Sequence, residues 1–180
     1  MTAPVPNIRD ASAADLPAIA ELHATSWRAA YRGLLPDAFL DGPVVADRKA
    51  HWSGMIARMV PSDLLLVAEQ NHALVGFIAV WTSEPLGCEP GFDLLIDNLH
   101  VRPDLRGGGI GEHLMRAVAC RLRDRPSARA CLWLIDGNAP AHRFYQRLGG
   151  RDDDRTQDMI GGALISQTRI IWDDFRVLAE

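Results

Sequence analysis

The chain has 180 residues, of which 48% are hydrophobic and 23% charged, and its formal net charge is −4. A chain of this length buries one hydrophobic core, so we expect residues 1–180 to form a single domain. The acidic balance argues against nucleic acid as the main partner, because phosphate binding requires a basic surface. No apolar run approaches the roughly 20 residues of a membrane span, and the N-terminus lacks the features of a signal peptide. These observations predict a cytoplasmic protein with no membrane partner.

The three cysteines, Cys88, Cys120 and Cys131, are widely spaced and odd in number. They offer no zinc-type pair and no framework of disulfides, so we predict neither a metal nor a cross-linked fold. Cys120 and Cys131 lie in apolar runs, and we expect both to be buried free thiols.

The first part of the chain is predicted to contain a short strand and two helices. The strand covers residues 5–9, and the first helix follows Ser12 and ends before Gly33. A second helix is predicted over residues 44–59. The apolar face of the first helix consists of Leu16, Ile19, His23 and Trp27, and the stripe of the second consists of Val45, Lys49, Trp52, Ile56 and Met59.

Strands dominate the rest of the chain, and glycine or proline residues separate them. The expected elements are strands at residues 64–69, 73–82 and 94–101, a loop at 83–92, a helix at 110–123, a strand at 130–135, a short helix from 138 to 149, and strands within 151–160 and 164–172. Trp81, Trp133 and Trp172 fall in strands and are expected in the core. The order predicts an α/β fold of the α+β kind, with a mixed, mostly antiparallel sheet of six to seven strands flanked by helices.

A glycine run follows the third of these strands, with the sequence Arg106-Gly107-Gly108-Gly109-Ile110-Gly111. Consecutive glycines let backbone N–H groups converge on an anion, and the following helix adds unpaired amides and the positive end of its dipole. A Walker A loop would require Gly-Lys-Ser/Thr, and the dinucleotide fingerprint G-x-G-x-x-G has a different spacing. The residues alone leave two interpretations, a phosphate site or a glycine turn without a ligand.

The segment around this run resembles the acetyl-CoA-binding motif of the GCN5-related N-acetyltransferase (GNAT) superfamily. That motif, Gln/Arg-x-x-Gly-x-Gly/Ala, is matched by Arg106, Gly109 and Gly111. Residues 138–150 resemble the family's second motif, Asn-x-x-Ala-x-x-Phe-Tyr-x-x-x-Gly-Phe, with Gly150 in place of the usual phenylalanine. The two motifs occur in the family's order and at its spacing.

The resemblance implies an enzyme that transfers an acetyl group from acetyl-CoA to an amine by direct attack. Residues 26–36 resemble a pattern common in bacterial members, so a bacterial source is expected. In the family, the strand before the glycine run splays from its neighbour and the pantetheine arm of the cofactor lies in the gap. The residues that this implies for acetyl-CoA binding are Leu99, Val101, Arg106, Gly107, Gly108, Gly109, Ile110, Gly111 and Asn138.

The resemblance also implies two catalytic side chains. Tyr145 would protonate the departing CoA thiolate, because a phenol with a pKa of about 10 is protonated at pH 7. Family members often place a glutamate base where this chain has Leu95. Side chains alternate along a strand, so we expect Asp97 on the face of Leu95, as the base, and His100 on the opposite face. The alternative bases are Asp93 and Glu84.

The acceptor is expected to be a small-molecule or peptide amine. Trp27 and Tyr31, four residues apart on the first helix, either line its site or belong to the core. The resemblance leaves a homodimer open, because family members are often dimers. A second class of function also remains open, a non-catalytic acyl-CoA-binding or sensor module, which Leu95 favours and Tyr145 disfavours.

Overall fold

The computed structural model describes residues 5–82 and 88–180. Its strands are β1 (Asn7–Asp10), β2 (Leu64–Gln70), β3 (Ala73–Trp81), β4 (Leu94–Val101), β5 (Ala130–Ile135), β6 (Arg151–Ile160) and β7 (Ala163–Trp172). They form one seven-stranded sheet in the order β1-β2-β3-β4-β5-β7-β6. β4 and β5 run parallel, and the other neighbouring pairs are antiparallel. The predicted mixed, mostly antiparallel sheet is confirmed.

The helices are α1 (Leu16–Ala30), α2 (Asp37–Asp41), α3 (Val44–Ile56), α4 (Ile110–Arg121) and α5 (Ala139–Arg147). α1 and α3 cover one face of the sheet, where Ile19 and Trp52 pack with Phe77 of β3. α4 covers the other face, where Leu114 packs with Ile78. Successive side chains of a strand point to opposite faces, so the neighbours Phe77 and Ile78 enter different cores. No helix within the described ranges has both the length and the apolar character needed to cross a bilayer.

The observed bounds follow the predicted ones closely, and from β2 onward each strand agrees to within one residue. β1 begins at residue 7 rather than 5, and α3 ends at residue 56 rather than 59. The predicted loop at residues 83–92 lies partly outside the described residues, which resume at Cys88.

Helix α3 buries a face that coincides only partly with the predicted stripe. Its buried residues are Val44, Trp52 and Met55. Lys49 points outward, and its Nζ lies 3.3 Å from Oε1 of Glu21. The prediction is wrong at Lys49, because burying an unpaired ammonium would cost far more than presenting the adjacent face. It is confirmed at Trp52, which is buried, and at Ile56 and Met59, which pack against the same core. That adjacent face carries Arg48 and His51 toward a cavity described below.

β4 carries a β-bulge at Asp97. Ile96 lies opposite Val80 of β3, and Asn98 lies opposite the adjacent Ala79, so Asp97 has no partner on β3. An extra, unpaired residue of this kind changes which face of the sheet each following side chain meets.

The bulge overturns one expectation about β4. Leu95 faces α1 and α3, and unbroken alternation would put Leu99 on the same face, yet Leu99 packs against the core under α4. His100 correspondingly lies on the α1 side, where its ring centre is 4.3 Å from that of His23. The prediction that His100 faces away from the side of Leu95 and Asp97 is therefore wrong.

β4 and β5 separate soon after they meet. The last parallel pair joins Leu95 to Cys131. From there β5 continues along β7 on its other side, and residues 96–101 of β4 diverge from it. The splayed pair of strands that the resemblance implied is present.

Gly150, where the family usually has phenylalanine, lies in a tightly filled part of the core. A Cβ at this position would come within 2.7 Å of Cγ2 of Ile170 and of Cζ2 of Trp172. The Trp172 indole is buried and its Nε1 donates a hydrogen bond to the carbonyl of Leu148 at 2.8 Å. The indole occupies the volume beside Gly150, which leaves no space for an aromatic side chain there.

Cys120 and Cys131 are free thiols, of which Cys131 is buried and Cys120 is exposed, and Cys88 is buried as well. The prediction that Cys120 is buried is wrong. Cys120 lies on the outward side of α4, where its neighbour Ala119 is the residue that enters the core.

Candidate active site

A cavity of about 460 Å³ occupies the gap between β4 and β5. Residues 96–101 of β4 and residues 132–134 of β5 form its walls, and α5 contributes Phe144 and Tyr145. The glycine run and the start of α4 line it as well. Of the residues that the sequence assigned to cofactor binding, those that line the cavity are Leu99, Val101, Arg106, Gly107, Gly109, Ile110, Gly111 and Asn138.

The glycine run makes a tight turn that leads directly into α4. Gly107 and Gly109 have φ values of +81° and +82°, a left-handed conformation that glycine adopts without steric cost. Gly109 is the N-cap residue of α4. Gly108, between them, does not line the cavity, and its N–H donates to the carbonyl of Leu105 at 3.3 Å. Gly108 therefore closes the turn.

The first turn of α4 presents unpaired amides to the cavity. The N–H of His113 donates to the carbonyl of Gly109 at 3.0 Å and so begins the helical pattern. The preceding amides of Ile110, Gly111 and Glu112 have no acceptor within the helix, and all three residues line the cavity. These amides and the helix dipole together suit the oxygens of a phosphate group.

Arg106 connects the glycine run to α1. Its Nη2 donates to Oγ of Ser26 at 2.8 Å and to the Ser26 carbonyl at 3.2 Å. The same Oγ lies 2.9 Å from Nδ1 of His100. Burial, and then the positive charge of Arg106, lowers the pKa of His100 to about 3, so this imidazole is neutral at physiological pH.

Tyr145 projects from α5 into the cavity. Its ring packs edge-on against Phe144 and Trp172, with ring centres 5.1 Å and 6.0 Å away. The residue is buried, and burial raises the pKa of Tyr145 above its ordinary value, with a smaller contribution from Tyr31. The phenol is therefore protonated throughout the neutral range and can donate a proton to an atom in the cavity.

Asn138 is the N-cap of α5 and also lines the cavity. Its Oδ1 accepts a hydrogen bond from the backbone N–H of Ala141 at 3.4 Å. Tyr31 lines the cavity beside it, and burial raises the pKa of the Tyr31 phenol while the Asn138 amide partly offsets that rise. Capping uses the amide oxygen, and the amide nitrogen has two N–H donors, so it can donate one to Tyr31 and still offer the other to a ligand.

A second cavity, of about 580 Å³, adjoins the first. The residues that line both are Tyr31, Ile96, Asp97, Asn98, His100 and Trp133. Trp27 of α1 lines the second cavity only, so it and Tyr31 are both cavity residues. Trp133 was expected in the core, but it is half-buried, and its Nε1 donates to Oε1 of Glu89.

Asp97 lies where the two cavities meet. Its side chain is 28% exposed, and Nδ2 of Asn98 donates to its Oδ2. The indole N–H of Trp81 faces the same carboxylate without completing a hydrogen bond of ordinary geometry. Burial raises the pKa of Asp97, and Trp81, Arg48 and Asn98 offset part of that rise. A carboxylate with increased proton affinity therefore faces both cavities.

Three histidines, His23, His51 and His100, lie together on the α1 and α3 side of β4. The ring of His23 is 4.3 Å from that of His100 and 6.1 Å from that of His51. Within the described residues, Nε2 of His23 and Nε2 of His51 are buried without a hydrogen-bond partner. Burial lowers the pKa of His51 to about 4. Across residues 5–82 and 88–180, no group of three or more His, Cys, Asp or Glu side chains is arranged to hold a metal ion.

Arg48 is a further cavity residue that the sequence prediction missed. Its Cζ lies 4.3 Å from the centre of the Trp27 ring, and the residue lines the second cavity. His51, one turn further along α3, lines it as well. The apolar pattern drew the buried stripe through Lys49, one position away from Arg48. The sequence signal that could have found Arg48 is its spacing, because it lies four residues before Trp52, a member of the predicted stripe.

Of the two alternative bases, Asp93 lies within the described residues and Glu84 does not. Oδ2 of Asp93 accepts hydrogen bonds from Oγ of Ser127 and from the backbone N–H of Arg129, each at 2.8 Å. Asp93 lines neither cavity and instead anchors the start of β5. Glu84 lies outside the described residues.

The model of the GNAT acetyltransferase family matches residues 16–150 of the chain. The chain therefore belongs to this family and is an N-acetyltransferase, as its two motifs indicated. It is similar to a probable N-acetyltransferase of Mycobacterium tuberculosis, with 27% identity over 162 residues that cover 83% of this chain and 82% of the relative.

Solved structures share the fold at low sequence identity. The PaiA N-acetyltransferase of Thermoplasma acidophilum, in complex with coenzyme A, is 20% identical with a TM-score of 0.70 and covers 89% of this chain and 96% of its own. YncA of Salmonella typhimurium, solved with its cofactor acetyl-CoA, is 20% identical with a TM-score of 0.65 and covers 94% of each chain. These similarities confirm the predicted fold.

Proposed function

We propose that the protein transfers the acetyl group of acetyl-CoA directly to an amine in the gap between β4 and β5, with residues 1–180 acting as one catalytic domain. The observation that carries this proposal is the end of the parallel pairing at Leu95 and Cys131. Beyond that pair, the β5 side of residues 96–101 faces a cavity. An extended pantetheine arm would add to this edge as an extra strand. Two proteins of the same fold that were solved with coenzyme A or acetyl-CoA support the choice of cosubstrate.

In this proposal the cofactor is held at both ends of the gap. Leu99 and Val101 offer backbone groups to the pantetheine arm, and the amide at Leu99 polarises the thioester carbonyl. Asn138 offers its amide nitrogen to the arm. The pyrophosphate is bound by Arg106 and by the run Gly107, Gly108, Gly109, Ile110 and Gly111, in which Gly108 closes the turn and the others line the cavity.

The amine must lose a proton before it attacks. An alkylamine has a pKa of about 10.4, so only about one molecule in 2,500 is unprotonated at pH 7. We assign Asp97 as the acceptor of that proton, directly or through a water molecule, because its pKa is raised and it faces both cavities. The neutral nitrogen then forms the C–N bond as the C–S bond breaks, and the new amide nitrogen releases its extra proton to solvent. Asp97 also returns its proton to solvent before the next turnover. Tyr145 donates its proton to the departing thiolate and regains one from solvent.

The second cavity is the proposed site for the rest of the acceptor, a small-molecule or peptide amine. Trp27 and Tyr31 line it, and Asp97 lies at its boundary with the acetyl-CoA cavity. Aromatic rings on one side and a carboxylate at the boundary suit a molecule with an amine at one end.

Two measurements test the proposal. Titration calorimetry should detect binding of acetyl-CoA and of CoA, and an amine panel should give CoA release above the rate of spontaneous hydrolysis. Failure to bind either nucleotide would contradict the cofactor site. Binding without release for any amine would instead favour the non-catalytic acyl-CoA-binding module, which the buried Leu95 at the family's glutamate position would then explain.

A further inference from the structure

The second cavity is lined by charges of both signs. Its charged or acidic lining residues are Arg48, Glu89, Asp97 and Asp158, and among the described lining residues Arg48 is the one arginine or lysine. Arg48 lines this cavity and not the first, whereas Asp97 lines both. Asp97 therefore lies at the boundary with the acetyl-CoA gap, whereas Arg48, Glu89 and Asp158 line the second cavity alone.

The Arg48 guanidinium is held in place but only partly used. Its side chain is 14% exposed, and its Cζ stacks 4.3 Å from the centre of the Trp27 ring. Nε and Nη2 both donate to a single oxygen of Asp47, its neighbour on α3. Nη1 donates no hydrogen bond within residues 5–82 and 88–180. A planar guanidinium has two edges, so the Nη1 edge remains free for a second acceptor.

The carboxylate of Glu89, on the cavity wall, is neutralised by other groups. Its Oε2 accepts from Nη1 of Arg169, and its Oε1 accepts from Nε1 of Trp133. Arg48, by contrast, forms its ion pair with the half-exposed Asp47, and its charge also lowers the pKa of Asp97. The positive charge of Arg48 contributes to the lowered pKa values of His51 and His100, so its field reaches the floor of the cavity. A positively charged group placed beside Arg48 would therefore be repelled, whereas a carboxylate placed there would be attracted.

We propose that the acceptor amine also carries a carboxylate, and that Arg48 binds this carboxylate through its free Nη1 edge while the amine points toward Asp97. This assignment of a substrate class rests on the proposed function. The stacking on Trp27 fixes the plane of the guanidinium before the ligand arrives, so little side-chain freedom is lost on binding. Amino acids and related amines with a nearby carboxylate have this chemistry.

The test compares each L-amino acid of a panel with its carboxamide, which has the same shape without the negative charge. CoA release from acetyl-CoA gives kcat/KM for both members of each pair. In the wild-type protein the acid should exceed the amide by about tenfold or more, as loss of one charge-assisted contact predicts. In Arg48→Gln that ratio should fall by about the same factor. Comparing the ratio between proteins cancels the different basicity of the two amines.

Two further variants serve as controls. Arg121→Gln removes an arginine that pairs with Asp10 and lines neither cavity, and its ratio should match the wild type. Arg48→Lys keeps the charge but not the planar fork, so it should retain an intermediate ratio. It also provides a second variant if Arg48→Gln does not fold.

A binding measurement separates this proposal from the proposed function. Calorimetry on the protein saturated with CoA should detect binding of an N-acetyl-L-amino acid, weakened about tenfold or more in Arg48→Gln. If acetyl-CoA binds and amines are acetylated, but the acid-to-amide ratio is the same in the wild type and in Arg48→Gln, the carboxylate proposal is overturned and catalysis stands. If no N-acetyl-L-amino acid of the panel binds, the proposal is overturned as well.

Discussion

Nε2 of His51 lies 3.9 Å from Oδ2 of Asp97, across the boundary between α3 and β4. This nitrogen is buried and has no hydrogen-bond partner among the described residues. Burial keeps His51 neutral at physiological pH, with its pKa lowered to about 4, so the two groups do not form an ion pair there. Two groups that can each accept a proton therefore lie side by side at the acceptor cavity, and experiment can decide between them.

Asp97→Asn should lower kcat/KM by about 100-fold or more, as removal of a general base does. Asp97 accepts a proton only when ionised, so activity in the wild type should fall as pH drops through its pKa. Burial raises that pKa above the ordinary value of 3.8, which moves the acidic limb of the pH profile upward. The limb should be missing from the profile of Asp97→Asn.

His51→Gln is the matched variant for this assignment. The acidic limb should persist in it, because Asp97 is retained. A limb that persists in Asp97→Asn and disappears in His51→Gln would identify the histidine as the base and refute the assignment to Asp97. His72→Gln, which removes a fully exposed histidine, serves as the control for loss of an imidazole.

Tyr145→Phe should lower kcat by about 100-fold while the dissociation constant of acetyl-CoA changes little, because the hydroxyl acts only as the thiolate leaves. The chain has two tyrosines, so the variant leaves Tyr31 as the single phenol. The ultraviolet absorbance of tyrosinate should therefore report both ionisations in the wild type and one in the variant. Unchanged turnover in Tyr145→Phe would remove this residue as the acid.

Gly109→Ala should weaken acetyl-CoA binding and destabilise the fold by about 1 kcal/mol, since a left-handed backbone is costly for any residue with a Cβ. The space around Gly109 is open, with His113 the nearest contact at 3.7 Å, so the penalty is one of conformation and not of collision. Gly54→Ala is the control, because Gly54 lies inside α3 with nothing within 4 Å of its added Cβ. That variant should be slightly more stable and bind acetyl-CoA normally, as urea unfolding and calorimetry would report.

Acid should destabilise the protein through its buried histidines. In the unfolded chain their pKa is near 6.5, whereas folded His51 and His100 have pKa values of about 4 and about 3. Below pH 6.5 the unfolded state therefore binds protons that the folded state does not bind. The free energy of unfolding falls as the pH drops from 6.5 toward the folded-state pKa values of these histidines. Each such histidine adds a slope of about 1.4 kcal/mol per pH unit to the free energy of unfolding.

Urea unfolding between pH 7 and pH 5 would measure this slope. His51→Gln should reduce the slope, because it removes one histidine whose pKa is lowered in the folded state. His72→Gln, which removes a fully exposed imidazole, serves as the control for this comparison. Equal slopes in His51→Gln and the wild type would contradict the lowered pKa of His51.

Most of the fold was predictable because its signals are local. Apolar runs bounded by turns gave the strands, and the glycine run with the later Asn138 to Gly150 segment gave the family and the cofactor end of the site. The burial of Tyr145 beside the gap also followed from its place on a short helix within that segment. These features depend on sequence neighbours, which a single chain displays.

The acceptor end was less predictable because it depends on contacts between distant segments. Arg48 and His51 reach the cavity because α3 is oriented with Lys49 outward. Few residues of α3 are apolar, so the sequence does not determine which side of the helix faces the protein. The face of His100 was predicted wrongly because alternation of side chains assumes a strand without a bulge. Nothing in the sequence of residues 94–101 indicates that Asp97 is unpaired between the partners of Ala79 and Val80.

The bulge at Asp97 divides β4 into two parts. The residues before it contribute to the hydrophobic cores, and the residues after it line the cofactor gap and lead into the glycine run. The alternation of side chains between the two faces is therefore shifted by one residue at Asp97. An insertion or deletion of one residue at the bulge would change which side chain faces the acceptor cavity and leave the residues of the core in place. The chemistry of the site can therefore change at this position without a change of fold.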